Sequence, residues 1–335
     1  MSIHASVANM NRNIALDILK LVLAFMVVGL HAGFLHGISS LGEYLTVNGL
    51  FRIAVPIYLL INGFHFYPVL VEKKVAGWIR RVACLYAFWM MVYAYFWFRP
   101  SEISFNQLLE ILHTIIFGYF QLWYLPGLIG AALVIYALER FWKKLLPPSI
   151  FILFLIGVAI QYVVNYEVFG GLFSDGSSDH DWIHKNFLFF SFPFFGIGYL
   201  INKFGIDKKI TLRQLVISSV AGCVLLFGES YFNYVGSSLF VGFDNLASLL
   251  IVCPSIFLLF TKIHIRGESK NISLYASGIY LVHAFFLNAY RKYTHFDGTM
   301  LTLVVIMSSI PAVYLLIMIN KKINQGRDKK INYIL

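Results

Sequence analysis

The sequence predicts an all-α polytopic membrane protein of about ten transmembrane helices with both termini cytoplasmic. Three observations carry this expectation. Across 335 residues, 59% are hydrophobic and only 13% are charged, about half the charge with which a soluble domain covers its surface. Apolar runs near the ~20 residues needed to cross a hydrocarbon core recur along the chain. The connections between those runs alternate in charge. The whole of 1–335 therefore reads as a single integral-membrane domain, with a short polar segment at 1–12 and a basic tail at 321–335.

The elements follow in order. The first run, 14–34, comes after Arg12 and contains Asp17 and Lys20. It is too long and too charged for the h-region of a signal peptide, so it reads as an uncleaved span. The second, 47–67, carries Arg52 about a turn inside its outer end, and the third, 80–98, opens on Arg80 and Arg81. The segment 99–120, with "SEISFNQLLEILHTIIFGYF", is amphipathic and suits the outer interface. Spans at 121–140 and 149–166 precede a polar loop at 167–185, and further spans follow at 186–204, 212–232, 240–261, 272–291 and 300–320. Helix is the state that lipid permits, because no water is present to satisfy backbone groups, and the alternation of a membrane barrel is absent. Five of the nine prolines, Pro56, Pro126, Pro193, Pro254 and Pro311, fall inside spans as candidate kinks around a cavity.

Charge fixes the expected orientation. Counting the connections after even-numbered spans together with both termini, 21 of the 26 basic residues lie on one side, and ten of the 16 acids lie on the other. The positive-inside rule makes the basic side cytoplasmic. Topology thus accounts for the net charge of +10 without a nucleic-acid partner. Cys84, Cys223 and Cys253 all fall in apolar spans and read as small core residues, not as a disulfide framework or a metal site. In the outer "DGSSDHDWIH" no tight metal-ligand spacing is present; a solvated or glycan-contacting loop fits better, with Trp182 able to stack on a sugar ring.

The residues that promise chemistry begin in the first span. At about 100° and about 1.5 Å per residue, Lys20 and His31 lie on nearly one face, some 16 Å apart, with Asp17 close to that face. Asp or Lys at mid-membrane costs about 2.5–3.5 kcal/mol on insertion scales. Asp17 and Lys20, three apart, offset one another and also fit a snorkelling pair at the cytoplasmic boundary. His31 is either a hydrogen-bonding core residue or a functional group near the outer side. Arg52 is either an interface anchor or a site residue. His283, with Tyr280 one turn before it, reaches the outer half of the ninth span and fits either a helix–helix hydrogen bond or the same site. Lys73, Lys74, Arg80 and Arg81 cluster at the cytoplasmic side, where topology alone explains most such charge.

In chain order, "RNIALDILKLVLAFMVVGLH", "RIAVPIYLLINGF", "LWYL" (Leu122 to Leu125) and "SGIYLVH" resemble the acyltransferase-3 family of bacterial membrane O-acyltransferases, particularly the surface-polysaccharide and O-antigen acetylases. The resemblance implies a multi-pass enzyme of the bacterial inner membrane that moves an acetyl or other acyl group from cytoplasmic acyl-CoA to a sugar hydroxyl of a lipid-linked or nascent polysaccharide. Acetyl-CoA would be a co-substrate, with no permanently bound cofactor or metal. The family's basic residue and histidine in span one map onto Lys20 and His31. Lys20 departs from the usual Arg and lacks its planar fork. The family's R-x-x-R is absent, since Arg80 and Arg81 are adjacent, and its small Ser before glycine is Asn62. On this reading His31 is the general base, which neutral imidazole suits near pH 7. Arg52 or His283 orients it or stabilises the oxyanion, and Lys73, Lys74, Arg80 and Arg81 face the CoA phosphates. Asn62, Trp123, Tyr124, Tyr280 and Trp182 contact substrate. A polytopic transporter or flippase of a glycan precursor, or an inactive scaffold in a glycan-assembly complex, are the competing classes; no internal symmetry of the kind transporters show is visible.

Overall fold

The computed structural model describes residues 12–98, 104–168, 182–237, 242–267 and 271–323. The chain is helical almost throughout: α1 (Ala15–Ala32), α2 (Ser40–Val47), α3 (Ala54–Val71), α4 (Val75–Val92), α5 (Phe105–Phe117), α6 (Tyr124–Phe141), α7 (Leu146–Asn165), α8 (Phe192–Lys203), α9 (Leu212–Gly236), α10 (Leu249–Lys262), α11 (Asn271–Tyr293) and α12 (Gly298–Ile323). A helix occupies each of the ten expected spans. Among the described residues, eight helical segments are long and apolar enough to cross a membrane, whereas the stretches Phe187–Lys203 and Leu249–Lys262 are shorter apolar helices. The end of the bundle carrying the basic connections is called inner below, and the other end outer.

The bundle is held by burial of apolar faces and by close backbone approach. α3 packs on α8 with almost no side chain between them. A Cβ at Gly63 would stand 1.8 Å from the Phe195 carbonyl oxygen, and one at Gly198 would stand 2.0 Å from that of Leu60. Glycines at these two positions let the helices touch backbone to backbone, which is how helices associate where lipid removes the hydrophobic drive. α1 packs between α11 and α3. Its N-terminus is tied by a two-stranded antiparallel bridge, β1 (Arg12–Asn13) with β2 (Arg266–Gly267). The Asn13 side chain completes the tie: Nδ2 donates to the Ile263 carbonyl at 2.8 Å, and Oδ1 accepts from the amides of Ala15 and Ile265 at 3.0 and 3.1 Å.

α5 buries none of its residues and exposes Phe105, Leu108, Leu112 and Ile116, as an interfacial helix does. α4 lies on the periphery. For that reason Cys84 is exposed on the lipid-facing side and is not a core residue, in contrast to the buried Cys253 and the half-buried Cys223. All three cysteines are free.

Two departures from plain helix shape the outer end. The chain enters α8 through a π-helical turn, Phe187–Ser191, capped by Asn186, whose Oδ1 accepts from the Leu188 and Phe189 amides. Such turns recur at functional sites. Before α10, residues 242–248 are not helical, although the apolar pattern predicts a span from 240. Their backbone is satisfied by buried side chains. Gln161 Oε1 accepts from the amides of Asp244 and Asn245 at 2.8 and 2.9 Å, and Gln161 Nε2 donates to the Asn245 carbonyl at 3.2 Å. Glu229 accepts from the amides of Ala247 and Ser248 at 2.7 and 2.8 Å, closing the N-terminus of α10 with a negative charge. Irregular backbone is tolerated at membrane depth where protein buries it, and here it delivers Asp244 to the site.

Candidate active site

His31 sits in the last turn of α1 and lines a small outer cavity, about 30 Å³, together with Arg52, Gln121, Trp123, Lys185, Asp244 and Tyr280, among others. Its ring lies 4.5 Å from that of Phe120 and 5.5 Å from that of His283, to which it is nearly parallel. The two histidines singled out from sequence are therefore brought together. The main chain at His31 is fixed as well: Arg291 Nη2 donates to the His31 carbonyl at 2.7 Å.

The tautomer of His283 follows from its partners. Nδ1 lies 2.7 Å from the Tyr280 carbonyl oxygen and 3.2 Å from that of Ile279. Carbonyl oxygens only accept, so Nδ1 carries the proton and the lone pair is on Nε2. That Nε2 is buried without a hydrogen-bond partner. The site thus holds two imidazoles, one of them presenting an oriented, uncommitted base nitrogen.

Arg52 is placed in a 3₁₀ turn, Leu50–Ile53, at the start of α3. It ion-pairs through Nη1 with Asp244, while Nη2 donates to Asn48 Oδ1 at 2.7 Å and Nε to the Val47 carbonyl at 3.1 Å. The guanidinium is committed on all three nitrogens, so its role is to hold Asp244. Asp244 also pairs through Oδ2 with Lys185 Nζ at 3.1 Å, and Lys185 lies 5.2 Å from the centre of the Trp123 ring. Neither Asp244 nor Lys185 stands out in the sequence as a site residue. Both lie in connections, where ionisable residues are ordinary, and only the fold buries them.

Tyr280 is shared between this cavity and a second, inner one of about 250 Å³. The inner cavity is lined by Tyr58, Asn62, Trp78, Arg81, Tyr124 and Ser277, with apolar neighbours. Three tyrosines of the inner cavity cluster where it approaches the outer one, and of these Tyr280 lines both. Their ring centres are 5.5 Å apart for Tyr124 and Tyr280, 6.0 Å for Tyr58 and Tyr280, and 6.4 Å for Tyr58 and Tyr124. Hydrogen bonds pin each one. The Tyr280 hydroxyl donates to the Gln121 carbonyl at 2.8 Å, that of Tyr58 donates to the Lys20 carbonyl, and that of Tyr124 accepts from Asn62 Nδ2 at 2.8 Å.

The remaining residues singled out from sequence are placed as follows. Lys20 and Asp17 face one another at 3.7 Å near the inner end of α1, with Asp17 buried. Of the four inner cations, Arg81 lines the inner cavity. Its neighbour Arg80 is about 100° away around α4 and lies exposed. Lys73 and Lys74 form the exposed turn before α4, where Lys74 pairs with Glu72 at 2.5 Å. Trp123 lines the outer cavity, whereas Trp182 is outside it, half-exposed and ringed by His113 and Phe117 of α5. The loop residues Asp175, Asp179, His180 and Asp181 lie outside the described residues. Among the described residues no group of three or more His, Cys, Asp or Glu is arranged to hold a metal ion.

Comparison with known proteins fits this architecture. Two amino-acid racemases of Enterococcus faecalis are each 24% identical to the chain, one over 343 residues covering 94% of the chain and 47% of the relative, the other over 279 residues covering 76% and 36%. A serine/alanine racemase of Enterococcus gallinarum is 24% identical over 137 residues, covering 38% of the chain and 20% of the relative. The chain spans less than half the length of these curated relatives, and the racemase names belong to those longer proteins. No solved structure matches. The acyltransferase domain that defines the acyltransferase-3 family matches residues 13–318, nearly the whole chain, and the protein belongs to that family of membrane acyltransferases.

Proposed function

We propose that the protein is a membrane O-acyltransferase that takes an acetyl, or another small acyl, group from acyl-CoA at the inner end. It places that group on a sugar hydroxyl of a surface polysaccharide such as O-antigen at the outer end, in the inner membrane of a bacterium. The observation that carries the reading is the pair of cavities meeting at Tyr280. One contains a cation, Arg81, and the other is lined by His31, whose ring packs on the buried imidazole of His283 behind it. Family membership supplies the reaction class.

In this mechanism His31 accepts the proton of the acceptor hydroxyl as its oxygen attacks the thioester carbonyl carbon. The tetrahedral intermediate collapses with cleavage of the C–S bond, and the imidazolium returns its proton to the departing thiolate. His283, whose Nδ1 proton is committed to the Tyr280 carbonyl, packs its ring on that of His31 and orients it. Arg81 and Trp78 meet the nucleotide part of the donor in the inner cavity, and the tyrosines hold the acyl–thioester end below His31.

The test is His31→Ala in the producing cell, with the surface glycan read by NMR and mass spectrometry. Loss of the acyl signals at unchanged membrane abundance is expected. An unchanged glycan, or vesicle transport of a sugar lipid with no acylated product, overturns the reading.

A further inference from the structure

Among the described residues, three charged side chains meet in the outer cavity with a net charge of +1. Arg52 and Lys185 are cationic, and Asp244 is the single carboxylate between them. None is solvated as a surface residue would be; their side chains are 10%, 20% and 10% exposed. His184, buried against the same group, adds no charge. Burial lowers it most, with Lys185 and Arg52 adding and Asp244 opposing, to about 4, so it is neutral at pH 7.

Lys185 is the less committed of the two cations. Arg52 uses three of its five N–H donors, one on each nitrogen, on Asp244, Asn48 and Val47. Lys185 has three donors, and among the described residues its one hydrogen-bonding partner is Asp244. A buried cation in excess of its carboxylate is expensive, and a ligand anion at this point removes the expense.

Resting on the reaction proposed above, we infer that the outer cavity is a subsite for an anionic group of the acceptor. A sugar carboxylate or a phosphate bound to Lys185 Nζ would place a neighbouring hydroxyl toward His31. Trp123, which forms the wall beside Lys185, offers its ring as the apolar face for the sugar. Asp244 is a positioning residue: it fixes the ammonium and is itself fixed by Arg52 and the Gln161-bound backbone.

The charge arithmetic also says which variant to use. Lys185→Gln leaves the Arg52–Asp244 pair neutral and intact, so the fold is expected to survive, with an unchanged unfolding midpoint as the control. Full-length protein in nanodiscs of zwitterionic lipid is titrated with methyl glucuronide, methyl glucoside and inorganic phosphate, followed by saturation-transfer NMR. The glucuronide is expected to bind more tightly than the glucoside, by about tenfold for one charge-assisted hydrogen bond. Phosphate is expected to displace it, and added salt to weaken it. Lys185→Gln is expected to erase the preference, and Lys185→Arg to restore part of it.

Equal binding of glucuronide and glucoside overturns the proposal, as does a preference that survives Lys185→Gln. Nanodiscs containing phosphatidylglycerol supply the remaining arm. If that lipid abolishes glucuronide binding, the subsite holds a lipid headgroup and the acceptor assignment is overturned. Failure here leaves the His31 experiment standing, because acyl transfer to a neutral sugar needs His31 but not this preference.

Discussion

Glu229→Gln tests how the outer cavity is built. The Glu229 carboxylate accepts from the Ala247 amide at 2.7 Å, the Ser248 amide at 2.8 Å and the Tyr162 hydroxyl at 2.8 Å. Glutamine keeps the shape but has one oxygen and one NH₂. One of the two backbone amides then faces a donor instead of an acceptor. A hydrogen bond to a charged group contributes about 1.5–3 kcal/mol, and a negative charge at a helix N-terminus about 0.3–1 kcal/mol. Glu229 is half-buried, so the lower parts of these ranges apply, and the expected loss is about 2 kcal/mol. At about 2–4 °C per kcal/mol for chains of 150–250 residues, and somewhat less for a longer chain, the apparent midpoint falls on the order of 5 °C. The protein carries its own reporter. Cys253, in α10 itself, is buried and becomes reactive to a thiol-specific fluorophore on unfolding, provided that the exposed Cys84 and the half-buried Cys223 are first replaced by serine. Scans at one fixed rate compare the variant with Glu110→Gln, an exposed carboxylate on α5 for which no change is expected. A Glu229→Gln midpoint within 1 °C of that control refutes the view that this carboxylate holds the connection before α10.

Gly63→Ala places a methyl group 1.8 Å from the Phe195 carbonyl oxygen, so α3 and α8 must separate. Overpacking of this kind costs about 1–3 kcal/mol or more; a normal midpoint in the same thiol assay contradicts the backbone-to-backbone contact. His184 predicts a pH effect of definite sign. Burial lowers its folded-state pKa to about 4, below the ordinary value of 6.5. The unfolded chain therefore takes up the proton first, and the contribution of neutral His184 is complete above about pH 6.5 and lost as pH falls toward 4. One group supplies at most about 1.4 kcal/mol per pH unit, roughly 3 kcal/mol across the interval. Midpoints measured from pH 7 to pH 4 should fall less steeply in His184→Asn than in the wild type, and parallel curves refute the assignment.

The ionisable residues that lipid makes expensive were legible, and those the connections hide were not. His31 and His283 announce themselves because a membrane helix has no reason to keep an imidazole without a partner, and the structure stacks them 5.5 Å apart. Arg52 was equally visible, but its commitment to Asp244, Asn48 and Val47 was not. Helical spacing places Lys20 and His31 on one face, yet it says nothing about which neighbours fill the space between them. The adjacency of Arg80 and Arg81 is informative only once α4 is seen edge-on to the inner cavity, where Arg81 alone of the pair lines it.

Asp244 was missed, although a signal for it existed. The run Leu249–Lys262 is a 14-residue helix, about 21 Å at 1.5 Å per residue, against a hydrocarbon core of about 30 Å. A span that short leaves several ångströms to be crossed by backbone that is not helical, and such backbone survives only where protein encloses it or it lines a cavity. The non-helical stretch before the helix, 242–248, contains Asp244 and Asn245, so the deficit in length falls where a carboxylate and an amide enter the membrane. The buried amides that Gln161 satisfies there are the consequence. In a helical membrane protein, a span too short for the bilayer and flanked by polar residues marks the wall of a site, and the length of α10 carries that information as directly as the histidines do.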